Sequence, residues 1–402
     1  MVSAGRGNSP LKIQTKAVHA GDRKPAQKQI PVSTPVHFAA SWICTDQAEQ
    51  DRIFGAEEKG FAYSRYANPT NEALEAQITA LENGYGALAC ATGMVALQHA
   101  LTAALIDRPK RVLCARDIYG ATIKLLMDVM GPFGVETTFV DTNDLNAVAE
   151  KLANDKYGVL LMETISNPLL RIGDIAALAR LCRDHGAALM VDNTFASPLL
   201  VRPLELGAHI VVHSSTKYLG GHGDTMGGLI ISDEEHFETI RRLSRIAGPI
   251  LGPMECFLTM RGIKTFPLRM ERQCRNAQGF AAWLRKQPAI ENVFYPDDPH
   301  HADAAVIATI MPDGLFGGMV SFELKGAAKQ EVFAFLDRLQ MVVKATSLGD
   351  VHTMVLHPWI ASHRDVPPKQ KERMGLRENL VRFSVGIEAL EDIIADVEQA
   401  LA

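Results

Sequence analysis

Reactive side chains follow the points at which several apolar, strand-length runs of this chain stop. The run 188–191 leads into Asp192 and Thr194, the run 158–162 into Glu163, and the run 210–212 into Lys217. Open α/β sheets bind ligands beyond the carboxyl ends of their strands. We therefore take these positions, with Tyr119 after the run that ends at residue 115, as the candidate site.

A phosphate site is indicated near Gly93. Residues 92–94, Thr-Gly-Met, are predicted to open a helix, whose free N–H groups and dipole favour a phosphate. Ser214 and Thr216 can add hydroxyl donors. The chain has no Gly-x-Gly-x-x-Gly and no Gly-Lys-Ser/Thr at a strand-to-helix turn, so neither a dinucleotide fingerprint nor a P-loop is expected. These features predict a phosphorylated cofactor.

An amine and a carboxylate stand in the right order beside those donors. Lys217 follows the two hydroxyl residues directly, and Asp192 suits the protonated nitrogen of an aromatic ring. Together these groups are what pyridoxal phosphate (PLP) requires. Each motif alone has a common structural explanation, since Ser-Ser-Thr-Lys is usually a loop and a strand-closing Asp is usually a helix cap. A non-PLP α/β binding protein therefore stays open at this point.

The elements that must position these residues alternate along the chain. A helix is predicted from Asn68, as N-cap, and Pro69 to a stop at Gly84, and residues 83–106 are interpreted as strand, turn and buried helix. Such alternation favours a mostly parallel sheet covered on both faces. The predicted strands are 111–115, 135–141, 158–163, 188–192, 210–213 and 228–231, and the helices between them are 118–130, 145–152 and 175–185.

Three regions are expected. Residues 1–66, irregular and punctuated by prolines, form an N-terminal arm, residues 67–247 a large cofactor-binding domain, and residues 248–402 a smaller α+β domain. The last is predicted to contain a long helix at 253–284, strands at 319–324, 341–344 and 381–385, and a closing helix at 389–401.

Composition excludes several classes of function. The 402 residues carry 41 Lys and Arg against 46 Asp and Glu, a net charge of −5, which disfavours nucleic acid as a partner. Six scattered cysteines suggest reduced core residues, and the histidines show no firm metal-ligand spacing, so no metal is expected. The polar first 29 residues do not resemble a signal peptide, and Gly and polar residues interrupt the uncharged stretch 83–106. We expect a cytoplasmic protein without a membrane span.

The segment 213–224, His-Ser-Ser-Thr-Lys-Tyr-Leu-Gly-Gly-His-Gly-Asp, resembles the cofactor-lysine segment of the transsulfuration (Cys/Met metabolism) family of PLP enzymes. Further segments resemble that family's other signatures, and the likeness spans nearly the whole chain. These segments are 63–70, 166–168, 191–194, 261–265, 347–349 and 382–388. The resemblance implies an α/β fold of the aspartate-aminotransferase-like type (fold type I) and a homotetramer of tight dimers in which each pair shares two active sites.

The resemblance also implies a role for each matching residue. Lys217 would bond to the cofactor, Asp192 would hold the ring nitrogen and Tyr119 would stack on the ring. The phosphate and neighbouring cofactor atoms would be bound by Gly93, Met94, Thr194, Ser214 and Thr216, and by Tyr63 and Arg65 of the neighbouring subunit. Arg382, with Asn167 and Ser347, would bind the substrate α-carboxylate. Without the resemblance, Tyr63, Arg65 and Arg382 would be interpreted as exposed residues.

The implied reaction is γ-elimination from a γ-substituted L-amino acid such as methionine, homocysteine or canavanine. Lys217 would move the Cα proton and Tyr119 a proton at Cγ. Family members that handle cystathionine carry glutamates where this chain has Ala62 and His352, and typical methionine γ-lyases have a cysteine at the position of Ala121. The alternatives are γ-replacement, as in cystathionine γ-synthase or O-acylhomoserine sulfhydrylase, and cystathionine γ-lyase. A family member that has lost catalysis is disfavoured, because Lys217, Asp192, Tyr119 and Arg382 are all retained.

Overall fold

The computed structural model describes residues 11–22, 30–55, 57–311, 313–364, 366, 371–372 and 374–402. Within these ranges the strands form two sheets. The larger has seven strands in the order β1-β7-β6-β5-β4-β2-β3, in which β7 is antiparallel to both of its neighbours and the other adjacent pairs are parallel. Its strands are β1 (Gly86–Cys90), β2 (Arg111–Ala115), β3 (Glu136–Val140), β4 (Val159–Glu163), β5 (Ala188–Asp192), β6 (Ile210–Ser214) and β7 (Gly228–Ser232).

The smaller sheet has five strands in the order β10-β11-β12-β9-β8. They are β8 (Ile290–Phe294), β9 (Met319–Leu324), β10 (Val343–Lys344), β11 (Met354–Leu356) and β12 (Leu380–Ser384). The sequence predicted β9, β10 and β12 but not β8 or the three-residue strand β11. The expected α/β fold, with a mostly parallel sheet and a second, smaller sheet, is confirmed.

Helices cover both sheets. In the part of the chain that the structure describes they are α1 (Ile13–His19), α2 (Gln47–Phe54), α3 (Pro69–Glu82), α4 (Gly93–Leu105), α5 (Gly120–Lys124), α6 (Leu145–Asn154), α7 (Ile175–His185), α8 (Ser197–Leu200), α9 (Glu234–Ala247), α10 (Pro253–Leu284), α11 (Ala304–Ile310), α12 (Lys329–Arg338) and α13 (Leu390–Leu401). The two sheets have separate apolar cores. Phe280, Phe322 and Phe383 lie at the centre of the core beneath the smaller sheet.

Helix α3 begins as its sequence predicts. Asn68 caps it by accepting the N–H of Thr70 at 2.9 Å, and Pro69 occupies the first turn. The helix ends one residue earlier than expected, because Asn83 rather than Gly84 adopts the left-handed conformation, with a φ of 56°.

Two predicted features need correction. The segment 118–130 is not one α-helix: α5 is followed by a π-helical segment, Leu125–Met130, and a 3-10 turn, Gly131–Phe133, where Pro132 cannot donate a backbone hydrogen bond. The arm 1–66 is not wholly irregular, since it contains α1 and α2. Short helices of this kind are stabilised by packing rather than by periodicity; α1 lies against α3 and α10, where Gln77 donates to the carbonyl of Ala17 at 2.7 Å.

The buried turn that follows Lys217 is held by helix α10. A Cβ at Gly262 would lie 2.2 Å from the carbonyl oxygen of Gly220, so the helix and the turn approach as closely as glycine permits. Arg269, which is 5% exposed, donates to the carbonyls of Tyr218 at 2.9 Å and Leu219 at 3.3 Å. These contacts fix the backbone on which Lys217 is mounted.

Two expectations about the whole chain can be compared with the described residues. None of their helices combines the length and the apolar character that a membrane span requires. All six cysteines lie in the described ranges and are free thiols; Cys44 is partly exposed and the other five are buried, so the interpretation as core residues is wrong for Cys44 alone.

The contact between Gly262 and Gly220 generates a prediction. Gly262→Ala should destabilise the fold by about 1–3 kcal/mol, because the added methyl overlaps a backbone oxygen that cannot rotate away. The thermal unfolding midpoint should fall accordingly. The control is Gly131→Ala, whose Cβ would meet its nearest neighbour, the oxygen of Leu126, at an ordinary 3.4 Å. Equal midpoints for the two variants would contradict the close approach.

Candidate active site

A cavity of about 410 Å³ lies at the carboxyl ends of β4, β5 and β6 and is completed by β12 of the smaller sheet. It gathers most of the residues that the sequence analysis selected. Those that line it are Gly93, Met94, Tyr119, Asn167, Asp192, Thr194, Ser214, Thr216, Lys217 and Arg382.

Lys217 lies in the turn after β6. Its backbone N–H donates to the carbonyl of Ser214 at 3.2 Å, and its Nζ donates to the Oγ of Ser347 at 3.0 Å. Ser347 does not itself line the cavity but contacts it through this hydrogen bond. Burial, assisted by the positive charge of Arg382, lowers the pKa of Lys217 to about 8. At pH 7 roughly a tenth of the amine is therefore neutral and nucleophilic, far more than for an ordinary lysine.

Asp192 closes β5 on the cavity wall. Its Oδ1 accepts the backbone N–H of Thr194 at 3.0 Å. Burial raises the pKa of Asp192, while the hydrogen bonds to Thr194 and the nearby His213 oppose that shift. His213 is held in turn by Glu82, at 2.6 Å from Nε2 to Oε1, with both side chains fully enclosed. A carboxylate that is supported in this way can pair with a cationic ring nitrogen that enters the cavity.

The opposite end of the cavity is suited to an anion. Thr92 caps α4 by accepting the N–H of Val95 at 3.1 Å, so the helix presents its first turn to the cavity. A Cβ at Gly93 would lie 2.9 Å from the Cβ of Ser214, which explains the glycine. The Oγ1 of Thr194 accepts the N–H of Ser214 at 2.9 Å, and that of Thr216 accepts the N–H of Gly227 at 3.1 Å.

Arg382 reaches the cavity from β12. It is 3% exposed, and its Nη1 donates to the Oδ1 of Asn167 at 2.7 Å. Among the described residues no carboxylate lies within ion-pair distance of it, and its Nε is buried without a hydrogen-bond partner. Burial lowers the pKa of Arg382 to about 10. A buried guanidinium with an unused donor favours a carboxylate ligand.

Tyr63 and Arg65 are not brought to this cavity. Tyr63 is 41% exposed, and the guanidinium of Arg65 lies over the ring of Tyr66, 4.7 Å from its centroid. Within a single chain these two residues therefore cannot hold the phosphate at the start of α4.

The positions that bear on specificity lie elsewhere as well. Ala121 and Ala62 are absent from the described cavity lining. The Nδ1 of His352 contacts the Oδ1 of Asp350 at 2.8 Å, and 63% of its side chain is exposed.

One residue of the site was selected from the sequence without a role, and another was missed. Glu163, chosen for its place at the end of a strand, lines the cavity with Tyr119 and Asn167. His363 is fully buried next to Ser362, which also lines the cavity, and burial lowers its pKa to about 4. No strand or helix signal marked His363, because it lies in a loop that follows β11.

The donor set fits pyridoxal phosphate. A nucleophilic amine, a carboxylate for a ring nitrogen and a helix N-terminus with adjacent hydroxyls face one cavity, and the glycine at residue 93 leaves the space that a phosphate needs. Such a fold and site define a class, the PLP enzymes with a mostly parallel sheet and a second, smaller sheet that contributes an arginine.

Comparisons with known proteins identify the family within that class. The family described as "Cys/Met metabolism PLP-dependent enzyme" matches residues 14–402. The L-methionine gamma-lyase of Fusobacterium nucleatum subsp. polymorphum is 40% identical over 97% of this chain and 98% of its own. The cystathionine gamma-synthase of Mycobacterium bovis is 40% identical over 96% of each chain. A crystal structure of cystathionine gamma synthase from Xanthomonas oryzae pv. oryzae, with aminoacrylate and cysteine, superposes with a TM-score of 0.91 at 31% identity, covering 98% of each chain.

The chain belongs to the Cys/Met metabolism family of PLP-dependent enzymes. The expected fold type I architecture, the PLP cofactor and the enzyme class, a lyase of the transsulfuration family, are confirmed. The two relatives above carry the names of a lyase and of a synthase, so the family covers both γ-elimination and γ-replacement.

The lowered pKa of Lys217 generates a prediction for the cofactor-free protein. Because only a neutral amine attacks an aldehyde, covalent attachment of PLP should accelerate up to a pH of about 8 and then level off, whereas an ordinary lysine would continue to gain up to about pH 10. The rate can be followed by the absorbance of bound cofactor, with Lys217→Ala as a blank. Arg382→Met removes a positive charge and should move the midpoint upward. A rate that still rises steeply above about pH 9.5 would show that the amine has an ordinary pKa.

Proposed function

We propose that the protein catalyses γ-elimination on a γ-substituted L-amino acid such as methionine, homocysteine or canavanine, releasing a 2-oxo acid and ammonia. The observation that carries this proposal is the pairing of Lys217 with Arg382 in one cavity. The amine marks where the substrate nitrogen is exchanged, and the guanidinium with its unused Nε provides a place for the α-carboxylate.

The rest of the cavity wall favours an uncharged side chain on the substrate. The charged residues in the described lining are Glu163, Asp192, Lys217 and Arg382. Glu163 accepts two backbone N–H groups, and the other three are assigned here to the cofactor and the α-carboxylate. The remaining wall contains the apolar side chains of Leu97, Ile165, Phe195, Met226, Leu348 and Leu356. A thioether fits such a wall better than the distal ammonium and carboxylate of cystathionine.

Four residues of this chain would perform the proton transfers and the binding. When bound, PLP supplies an electron sink that makes the Cα proton of the substrate acidic. Lys217, with its lowered pKa, would accept and return that proton. Tyr119 would exchange a proton at the Cγ leaving group, and Arg382 with Asn167 would hold the carboxylate so that the Cα–H bond faces Lys217.

The second candidate is γ-replacement, in which a thiol takes the place of the leaving group. It is favoured by the 40% identity to the Mycobacterium bovis cystathionine gamma-synthase. An acylated homoserine is uncharged at Cγ in its acetyl form and would also be compatible with the apolar wall.

A substrate panel separates the two candidates. Purified holoenzyme should release 2-oxobutanoate and ammonia from methionine, homocysteine or canavanine without an added thiol. Cystathionine should be turned over more slowly, by about tenfold or more in kcat/KM, because its distal charges find no partner in the wall. Lys217→Ala is the control for cofactor-independent release. The proposed elimination would be wrong, and γ-replacement correct, if no substrate alone gave a keto acid and O-acylhomoserine gave product only with added cysteine or sulfide.

We infer that Tyr63 and Arg65 act in the site of a second copy of the chain. This accords with their absence from the cavity lining of their own chain and with the exposure of Tyr63. Apolar side chains in the preceding segment are also exposed, among them Phe38 at 68% and Ile43 at 101%. Such a surface favours burial against another subunit. A homotetramer built from pairs that share two sites would satisfy both features.

Complementation between two inactive variants tests this arrangement. Lys217→Ala disables the site of its own chain, whereas Arg65→Ala should disable the site of its partner. Random mixing by co-expression should restore about one quarter of wild-type activity, because half of the pairs are hybrids with one intact site. No recovery from a mixture that forms hybrid pairs would show that Arg65 does not serve a neighbouring site. Size-exclusion chromatography with light scattering establishes the assembly in each preparation.

A further inference from the structure

Glu163 joins two site residues that come from different loops. It is the last residue of β4, and its two carboxylate oxygens accept different backbone N–H groups. Oε1 accepts that of Tyr119 at 2.9 Å and Oε2 that of Asn167 at 3.1 Å. One side chain thereby fixes the loop after β2 relative to the loop after β4.

Both of those backbone positions matter for the reacting groups. Tyr119 is the N-cap of α5, a helix of five residues, and its own side chain makes no capping hydrogen bond and is 39% exposed. The carbonyl of Tyr119 accepts the N–H groups of Thr122 at 2.9 Å and Ile123 at 3.3 Å, so helix α5 holds that side of its backbone. Its N–H is held by the Glu163 carboxylate, which orients the peptide from which the ring projects. Asn167 carries the Oδ1 that accepts from Arg382 at 2.7 Å. A shift of Asn167 would move the guanidinium as well.

Burying a carboxylate at this position is energetically unfavourable, which indicates that Glu163 does more than fill space. Glu163 pairs in register with Asp192 on the adjacent strand β5. Burial and the neighbouring Asp192 carboxylate raise the pKa of Glu163 well above its usual range. Glu163 also borders a second, polar cavity of about 10 Å³, lined on its far side by Asp117, Asp141 and Arg171. It thus forms the wall between that cavity and the active site.

We propose that Glu163 is a positioning residue of the reaction, which sets the approach of Tyr119 and of the Asn167 and Arg382 pair to the substrate. The inference concerns how the proposed γ-elimination is positioned and rests in part on that proposed function. Misplacement of a positioned group by about 1 Å typically costs on the order of a hundredfold in rate.

The test uses Glu163→Gln and Glu163→Asp as holoenzymes, with kinetic constants expressed per cofactor-loaded site. The amide of Gln turns a donor toward one of the two N–H groups, and Asp is too short to reach both. In each variant kcat/KM for elimination should fall by about 10- to 100-fold. Wild-type kinetics in Glu163→Asp would mean that contact with both N–H groups is not needed and would overturn the positioning role.

The matched control is Glu323→Gln. Glu323 is also a buried glutamate on a strand, 1% exposed, and accepts from the Nδ2 of Asn292 at 2.6 Å, but it lies outside the cavity lining. The Glu323→Gln variant should have a lower thermal unfolding midpoint but unchanged kcat and KM per cofactor-loaded site. If Glu163→Gln behaves in the same way, the residue is only structural and the inference fails.

Two further readouts do not require elimination. L-Norvaline has no leaving group at Cγ, and exchange of its Cα proton with D2O, followed by NMR, should show an apparent KM about tenfold higher in Glu163→Gln, since Arg382 loses its support. In the cofactor-free protein, amide hydrogen exchange should accelerate in peptides that contain residues 119 and 167. If the wild-type enzyme catalyses elimination from none of the substrates, the proposed function fails, but these two measurements still test the role of Glu163. Unchanged Cα-proton exchange and unchanged amide exchange in Glu163→Gln would overturn the positioning role.

Discussion

Two basic side chains, Lys217 and Arg382, are largely buried beside one cavity, and the surrounding structure is arranged to hold them there. Burying charge is unfavourable unless it is paired or neutralised. Lys217 meets this constraint through its lowered pKa and a hydrogen bond to Ser347, and Arg382 through Asn167. The Nε of Arg382 keeps an unused donor, which is the basis for the proposal that this residue binds the substrate carboxylate.

The rigidity of the site comes from the elements behind it. Neighbouring parallel strands deliver Glu163, Asp192 and the Lys217 turn to one edge of the large sheet. Helix α10 locks that turn through the close approach of Gly262 and the hydrogen bonds of Arg269. The smaller sheet then places Arg382 over the same edge. A catalytic group held from two sides by packed backbone needs little reorganisation when its ligands bind.

The parallel strands were predictable because their apolar runs are continuous and end in polar residues; β2 and β5 agree with the prediction to the residue. The predicted boundaries of α7 and α10 also agree. Short elements were not predictable in the same way. Helix α1 and strand β11 are too short for a clear period, and their stability depends on contacts with distant segments. Strand β8 is as long as β2, but polar residues interrupt it and it is only partly buried, so it lacks a continuous apolar run. The π-helical turn at Leu125–Met130 has an apolar pattern that an α-helix would share.

The sequence by itself determined the chemistry that is available: an amine after two hydroxyls, a strand-ending carboxylate and a Gly at a helix start, because these are local patterns of residue type and spacing. Tertiary structure alone decided which of these groups meet and in what environment. It buried Arg382, which a strand pattern marks only as an alternate face, and it turned Glu163 from a strand-closing residue into a link between two loops. It also left Tyr63 and Arg65 outside the cavity of their own chain. The physical reason is that burial, pKa and hydrogen-bond partners depend on residues far apart along the chain, which no local pattern specifies.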